Sequence, residues 1–251
     1  MVELTGMAPA AVEGWWTLFE LTAVEPNACV LIGGQMMHLL VVEHGAEPVR
    51  TTVDVDVVVN VRTRPGGTRW LSTWLTDRDF TFAGASPEGV GHRFTRPADP
   101  GPGTVIFDVL GPEGVGARTS LTTTPPARTI EVPGATQAMR RSLVDVSVSG
   151  VGHGEVRDGQ VRRPSLLGAL VAKAAATTIV VRTNPERDWQ DAAALTTLIA
   201  DPRAMAIECD RKDRQRLERL EPLIDVAHSG WDGIDRSARR RGAAALSFLI
   251  S

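Results

Sequence analysis

The stretch ACVLIGGQMMHLLVVEHG (28–45), followed by TTVDVDVVVNVR (51–62), decides the fold of this chain. A short apolar run ends in a glycine pair, and the next segment is apolar at most positions and stops at Gly45, as helices with a C-terminal glycine do. Residues 51–62 are rich in β-branched side chains, which predicts a strand. The order is therefore strand, glycine turn, helix and strand.

Two aspartates, Asp54 and Asp56, interrupt the apolar side chains of the second strand. Side chains alternate between the faces of a strand, so both carboxylates project from one side, about 7 Å apart along the chain. Two like charges on an apolar strand repel each other and resist desolvation, and a divalent cation such as Mg²⁺ (or Mn²⁺) would relieve both effects. The alternative places these carboxylates near the strand end, in solvent or paired with Arg50 and Arg62.

Two further features indicate a phosphate and metal site. Glycines at 33 and 34 let the backbone approach a ligand, and the N–H groups at a helix N-terminus attract phosphate, although a tight turn alone also explains Gly33 and Gly34. Asp108 is the only charged residue in TVIFDVLG (104–111), and a lone acid in such a strand needs a partner. Asp108 is thus a candidate third carboxylate for a site with two cations.

The remaining pattern predicts an α+β fold. Before the glycine turn, residues 10–25 predict a helix; after it, residues 68–78 predict a helix and residues 80–84, 91–96 and 104–111 predict a β-meander. Further elements are an edge strand at 127–132, a short helix at 136–141, a strand at 142–150, and a hairpin or linker loop at 150–159. Residues 164–182, 186–201, 211–228 and 235–250 fit amphipathic helices. We therefore expect a mixed sheet with flanking helices over 1–162 and a helical domain over 163–251.

Composition excludes several classes of protein. Hydrophobic residues make up 43% and charged residues 23% of the 251 residues, as in globular proteins. The chain has neither an apolar run long enough for a membrane span nor a secretory signal, so we expect a cytoplasmic protein without a membrane partner. A net charge of −3 differs from the basic balance of most nucleic-acid-binding proteins. The two cysteines and five histidines show no zinc-type spacing.

Lysine is rare in this chain. Of 27 basic residues only Lys173 and Lys212 are lysines. An ammonium is a compact point charge that approaches phosphate in a way that a guanidinium does not, so a lysine kept among arginines suggests a function for Lys173. The alternative is that Lys173 extends its side chain along the surface of its alanine-rich helix.

The motifs together resemble a known family. LIGGQMMHLL (31–40) and VRTTVDVDVVV (49–59) resemble the nucleotidyltransferase fold, and in particular its AbiEii/AbiGii branch, the toxins of type IV toxin–antitoxin systems. PSLLGALVAKAAA (164–176) resembles the lysine-bearing helix of that branch, and ERDWQDAAAL (186–195) resembles its Lys-Asp-x-x-Asp motif, with Arg187 at the lysine position. Gln35 departs from the pattern, which usually has a small residue there, and residues 63–160 do not align. The positions that match the Arg-x-Thr-x-Asp-x-Asp pattern and the later acidic motif are Arg50, Thr52, Asp54, Asp56, Asp188 and Asp191.

The resemblance implies a metal-dependent enzyme that moves a nucleoside monophosphate from an NTP to an acceptor hydroxyl, with tRNA as the acceptor and a cognate antitoxin as a partner. It implies that Asp188 or Asp191 orients Lys173 or the acceptor, although acids near an exposed helix N-terminus are common without a function. A small-molecule nucleotidyltransferase of the antibiotic-modifying kind and a non-catalytic nucleotide-binding module are the alternatives. The predicted catalytic residues are Asp54, Asp56, Asp108, Lys173 and Asp191; the predicted metal ligands are Asp54, Asp56 and Asp108; the predicted nucleotide-binding residues are Gly33, Gly34, Arg50 and Thr52.

Overall fold

The computed structural model describes residues 1–48, 52–140, 144–178 and 186–251. The described strands are β1 (Val2–Leu4), β2 (Cys29–Ile32), β3 (Asp54–Val59), β4 (Thr81–Phe82), β5 (Arg93–Pro97), β6 (Thr104–Pro112), β7 (Glu131–Val132), β8 (Val144–Gly152) and β9 (Glu155–Arg163). The α-helices are α1 (Pro9–Val24), α2 (Gly33–Glu43), α3 (Gly67–Thr76), α4 (Ala135–Arg140), α5 (Leu166–Ala176), α6 (Glu186–Thr197), α7 (Pro202–Glu208), α8 (Arg211–Leu217) and α9 (Arg236–Ile250). The predicted α+β fold with C-terminal helices is confirmed.

A mixed sheet in the order β2-β3-β6-β5-β4, with β7 alongside β6, forms the centre of the molecule. The strands β4, β5 and β6 are antiparallel, as the predicted meander requires. By contrast, β3 and β6 are parallel neighbours, and their register places Asp56 directly beside Asp108. This pairing brings together two acids that are far apart in the sequence.

Helix α1 packs against one face of this sheet and leaves the other face to the functional site. A Cβ at Gly14 of α1 would lie 2.8 Å from the Val55 side chain. Val55 and Val57 are fully buried, whereas Asp54 and Asp56, which alternate with them, are only partly buried. The strand therefore places its apolar side chains towards α1 and its two carboxylates on the opposite face.

A second sheet has the order β1-β8-β9. Of the two predictions for residues 150–159, the hairpin is confirmed and the linker loop is wrong, because β8 continues to Gly152 and β9 begins at Glu155 beside it. Residues 155–158 are exposed and, apart from Val156, charged, so apolar alternation did not predict how far the strand extends. Continuous pairing with β8 forms this strand despite its local composition.

The C-terminal part is helical, with two departures from the predicted elements. The helix predicted over 211–228 ends at Leu217 and continues as a 3-10 helix over Glu218–Ile224, which contains Pro222 and so lacks one backbone donor. Helix α7 was not predicted because none of its residues is buried. Its start is fixed by Asp201, whose side chain accepts hydrogen bonds from the backbone N–H groups of Arg203 and Ala204.

A continuous cluster of buried apolar side chains extends from Leu4 in β1 to Leu249 in α9. The sheets and the C-terminal helices thus share one core, and the division of the chain at residue 162 stays a prediction. Among the described residues, none of the helices combines the length and the apolar character needed to cross a bilayer.

Candidate active site

A cavity of about 310 Å³ lies between the central sheet and the C-terminal helices. One side is formed by β3, β5 and β6, which we call the sheet wall, and the other by α5 and α6, which we call the helical wall. The first turn of α2 lies between them. The polar residues that line the cavity are Thr52, Asp54, Asp56, His92, Arg93, Asp108, Lys173, Arg187, Asp188 and Asp191; the apolar ones include Ile32, Met36, Leu110, Ile130 and Val132.

The sheet wall brings together the three aspartates that the sequence singled out. Asp54 and Asp56 share the exposed face of β3, and Asp108 lies beside Asp56 on β6. Neighbouring strands are about 4.8 Å apart, so the three carboxylates are close enough to interact strongly. Asp108 is the most buried of them, with only 5% of its side chain exposed.

An arginine that sequence analysis did not single out neutralises part of this charge. Arg93 on β5 lies opposite Asp108 in the antiparallel register. Its Nε donates to Asp108 Oδ1 at 2.9 Å and its Nη2 donates to Asp108 Oδ2 at 2.7 Å, while Nη2 also reaches Asp54 Oδ2 at 3.2 Å. These bonds, above all those with Asp108, raise the pKa of Arg93.

The two aspartates on β3 have raised pKa values in this arrangement. Burial, together with the neighbouring carboxylates of Asp108 and Asp54, raises the pKa of Asp56 to about 7, although Lys173 and Arg93 oppose the shift. Burial also raises the pKa of Asp54, although Arg93 opposes that shift. Without a bound cation, the sheet wall therefore carries more negative charge than its single guanidinium balances.

The glycine pair forms the corner between the walls, at the first two positions of α2. Gly33 has φ +67°, and a Cβ there would lie 1.9 Å from Asp56 Oδ2. A Cβ at Gly34 would lie 2.6 Å from Thr52 Cγ2. Both glycines are thus required for close approach, and no side chain caps the N-terminus of α2 among the described residues. Its backbone N–H groups are available to an anion.

Gln35, which departs from the family pattern, has a structural role. Its side chain is almost fully buried; Oε1 accepts a hydrogen bond from Trp15 Nε1 at 2.8 Å, and Nε2 donates to the Thr52 carbonyl oxygen at 2.8 Å. The amide therefore links α1, α2 and the segment leading into β3. A small residue at this position would leave the Trp15 and Thr52 groups without these partners.

The helical wall contributes an ammonium group held between two acids. Lys173 on α5 is 12% exposed, and its Nζ lies 2.7 Å from Asp191 Oδ2 and 3.4 Å from Asp188 Oδ1. Asp188 and Asp191 are both buried on α6, one turn apart, rather than exposed at a helix end. Lys173 is thus held in place at the edge of the cavity instead of extending along its helix surface.

Two further polar residues, His92 and Arg187, line the cavity although the sequence analysis assigned them no role in the site. The Nδ1 atom of His92 is buried without a hydrogen-bond partner from the described residues, and burial lowers the pKa of this imidazole. Arg187, at the lysine position of the family motif, lies near enough to lower the pKa of Asp54, against the larger effect of burial. The run GHRFTR (91–96) gave no signal for Arg93 or His92 beyond its strand pattern, since their neighbours come from β6.

The predicted residues thus line one cavity, with one exception. Arg50 lies outside the described residues, so nothing is said of its position, whereas Thr52 lines the cavity beside Gly34. Within the described ranges no group of three or more His, Cys, Asp or Glu side chains is arranged to hold a metal ion.

Comparison with known proteins shows the fold. Neither a family model nor a curated protein matches the sequence. The structure is similar to the crystal structure of an antigenic nucleotidyltransferase-like protein from Paracoccidioides brasiliensis, with a TM-score of 0.51 and 16% identity over 92% of this chain and 95% of that one. At this identity the likeness concerns the fold alone, and it supports a nucleotidyltransferase-like architecture for this chain.

Proposed function

We propose that this chain uses its nucleotidyltransferase-like fold to transfer a nucleoside monophosphate from an NTP to an acceptor hydroxyl, with release of pyrophosphate. One observation carries the proposal: the same cavity has the carboxylates of Asp54 and Asp56 on one wall and the ammonium of Lys173 on the other, with the open N-terminus of α2 between them. A triphosphate needs a cationic and N–H-rich environment on one side and a metal-binding group on the other.

The donor set fits a divalent cation on two carboxylates. Asp54 and Asp56 offer hard oxygen ligands, and Mg²⁺ is commonly held by one or two carboxylates together with substrate phosphates. Burial is the main cause of their raised pKa values, and at Asp56 the neighbouring carboxylates add to it. When bound, Mg²⁺ (or Mn²⁺) would supply charge neutralisation at the phosphates. Asp108 was predicted as a third ligand, but both of its oxygens accept hydrogen bonds from Arg93.

The residues of this chain would act mainly by positioning. Asp188 and Asp191 hold Lys173, whose ammonium would bind a phosphate oxygen. The N–H groups of Gly33 and Gly34 would bind the triphosphate, with Thr52 beside them; the family pattern adds Arg50. Such preorganised charges reduce the barrier because they need no rearrangement as charge develops on the transferred group.

RNA is the acceptor that the family resemblance suggests, specifically tRNA, with a cognate antitoxin as the partner of a toxin-like enzyme. Helix α9 supports this part of the proposal, because it presents Arg236, Arg240 and Arg241 to solvent, where they can contact backbone phosphates. Growth arrest on expression, relieved by the product of a neighbouring gene, tests the toxin role.

A second candidate function is a non-catalytic nucleotide-binding module. The observation that favours it is Arg93, which pairs with two of the three aspartates on the sheet wall and reduces their charge without any metal. In such a module the chain would bind an NTP in the cavity and leave it intact.

Incubation of the purified protein with each of the four α-labelled NTPs, Mg²⁺ and total tRNA, compared with aminoglycosides as acceptors, tests the proposal. Label on tRNA that is absent with the Asp56→Ala variant would support it. Label on aminoglycosides alone would favour the small-molecule alternative, and tight NTP binding without transfer would favour the second candidate. A protein that neither binds nor transfers any NTP would overturn the proposal.

A further inference from the structure

We infer that Asp108 is the anchor of Arg93 rather than a metal ligand, and that Arg93, held in this way, is a phosphate-binding residue of the cavity. This inference rests on the proposed function, because it names the side chain that receives the polyphosphate of the substrate.

The hydrogen bonds of Asp108 support its role as an anchor. Both carboxylate oxygens accept from Arg93, at 2.9 and 2.7 Å, in the bidentate geometry that is strong and directional for this pair. Asp108 is deeply buried, so replacing Arg93 by a hydrated cation would require breaking both bonds in a poorly solvated position. The bond to Asp54 is longer, at 3.2 Å, and involves a half-buried carboxylate.

The guanidinium also has donors left for a ligand. Arg93 uses Nε and Nη2 for the two aspartates, and its Nη1 makes no hydrogen bond with any other described residue. The side chain is 41% exposed and lines the cavity together with Gly33, Gly34 and Lys173. The guanidinium is thus fixed in position and keeps the N–H donors of Nη1 for phosphate oxygens.

The remainder of the sheet wall is consistent with this division of roles. Asp56 lies beside Asp108 but receives no bond from Arg93, and it faces Gly33 at the corner of the cavity. A cation held by Asp54 and Asp56 would displace Arg93 from Asp54 alone and leave the bidentate pair with Asp108 intact. The freed Nη2 proton would then add to the donors that face the phosphates.

Two binding measurements on the nucleotide-free protein test the inference: Mn²⁺ affinity by electron paramagnetic resonance, and tripolyphosphate affinity by calorimetry with saturating Mg²⁺. We expect Arg93→Gln and Asp108→Asn each to weaken tripolyphosphate binding by about tenfold or more. The double variant should bind no more weakly than the worse single variant, because each change already disrupts the same Arg93–Asp108 pair. We expect Asp108→Asn to keep Mn²⁺ affinity within about threefold, whereas Asp54→Asn loses about tenfold or more.

The matched control is Arg96→Gln, which breaks the other arginine–carboxylate ion pair of β5. Arg96 Nη2 donates to Glu13 on the opposite face of the sheet, at 3.2 Å, so this change should leave both affinities unaltered while testing for general damage to the strand. Arg93→Lys provides a second check, because lysine keeps the charge but not the bidentate pair, and it should resemble Arg93→Gln.

The inference would be overturned if Asp108→Asn lost as much Mn²⁺ affinity as Asp54→Asn. It would also be overturned if Arg93→Gln kept the tripolyphosphate affinity of the parent protein, or if the parent protein did not bind tripolyphosphate.

The proposed function can fail independently of this inference. Tripolyphosphate binding that depends on Arg93, in a protein that transfers no nucleotide to any acceptor, would refute the enzyme and leave the inference standing.

Discussion

Each wall of the cavity pairs a cationic side chain with two aspartates, but the two walls differ in their balance of charge. On the helical wall one ammonium lies between two aspartates, and a nearby arginine adds a second positive charge. On the sheet wall one guanidinium bonds to two of the three aspartates, and among the described residues no cation bonds to the third. These groups are Lys173 and Arg187 with Asp188 and Asp191, and Arg93 with Asp54, Asp56 and Asp108.

This difference indicates which wall requires a ligand. On the helical wall both aspartates lie beside Lys173, and we propose that they hold its ammonium in position. On the sheet wall Arg93 bonds to only two of the three carboxylates, which leaves an excess of negative charge among the bonded groups, and burial together with the neighbouring carboxylates raises the pKa of Asp56 to about 7. An excess that folding does not remove, at a site lined by open backbone N–H groups, is the arrangement expected where binding supplies the missing charge.

Removing the acid that carries the excess should have the largest effect. We expect Asp56→Ala to lower nucleotide transfer by at least about a hundredfold, because a proposed metal ligand is lost, while the thermal unfolding midpoint stays the same or rises. Transfer of labelled nucleotide and thermal unfolding measure the two quantities. Asp158→Ala, which removes an exposed aspartate on β9, is the control, and parental activity in Asp56→Ala would contradict our account of the sheet wall.

The helical wall should be sensitive to shape as well as charge. We expect Lys173→Arg to reduce transfer by about tenfold to a hundredfold, because a planar guanidinium cannot take the position of the ammonium between Asp188 and Asp191 without moving the charge. Steady-state kinetics with the preferred NTP measure the loss. Lys212→Arg, at the exposed second lysine, should have parental kinetics, and equal activity of the two variants would show that Lys173 serves structure alone.

The corner between the walls permits a matched pair of glycine substitutions. Gly33 and Gly45, one at each end of α2, have φ values of +67° and +69°, but a Cβ meets Asp56 at Gly33 and nothing within 4 Å at Gly45. Both alanine variants are destabilised by backbone strain, because alanine disfavours a positive φ. Gly33→Ala should lose about 1–3 kcal/mol more in unfolding free energy than Gly45→Ala, because Asp56 must move. Equal losses in chemical denaturation would show that Asp56 is not fixed against this glycine.

A pH dependence of stability is expected in the metal-free protein. The pKa of Asp56 is raised from 3.8 to about 7, so the folded state binds this proton more tightly than the unfolded state. Stability from this group is present at pH 4 and is lost as the pH rises to about 7. We expect a loss of about 3 kcal/mol in unfolding free energy between pH 4 and pH 7 in denaturation with EDTA, and a smaller loss in Asp56→Asn. A parallel pH profile for the two proteins would contradict a charge excess at Asp56.

Part of the site was predictable because it depends on local periodicity. The period of two in a strand placed Asp54 and Asp56 on one face, and the glycine pair before an apolar helix indicated a close backbone approach. Lys173 was selected by the rarity of lysine in the chain and by the resemblance of its helix to a family motif. The inferences about Asp54, Asp56 and the glycine pair use residues that are neighbours in the chain, where the geometry of a strand or helix determines which side chains are adjacent.

Other features depended on pairing between distant segments. Nothing near Arg93 in the sequence shows that it will face Asp108, because that contact requires the antiparallel register of β5 and β6. The strand β9 lacks apolar alternation and forms only because β8 is beside it. Gln35 seemed to depart from a motif until Trp15 and Thr52 appeared as its partners.

The amino-acid sequence by itself determined most of the helices and strands, their α+β class, and the face of β3 on which two acids lie. Tertiary structure alone decided that the third acid is held by an arginine, that Asp188 and Asp191 both hold one lysine, and that these groups meet around one cavity. The reason is physical: backbone geometry repeats over a few residues and can be inferred from local pattern, whereas the balance of buried charges depends on which strands and helices become neighbours.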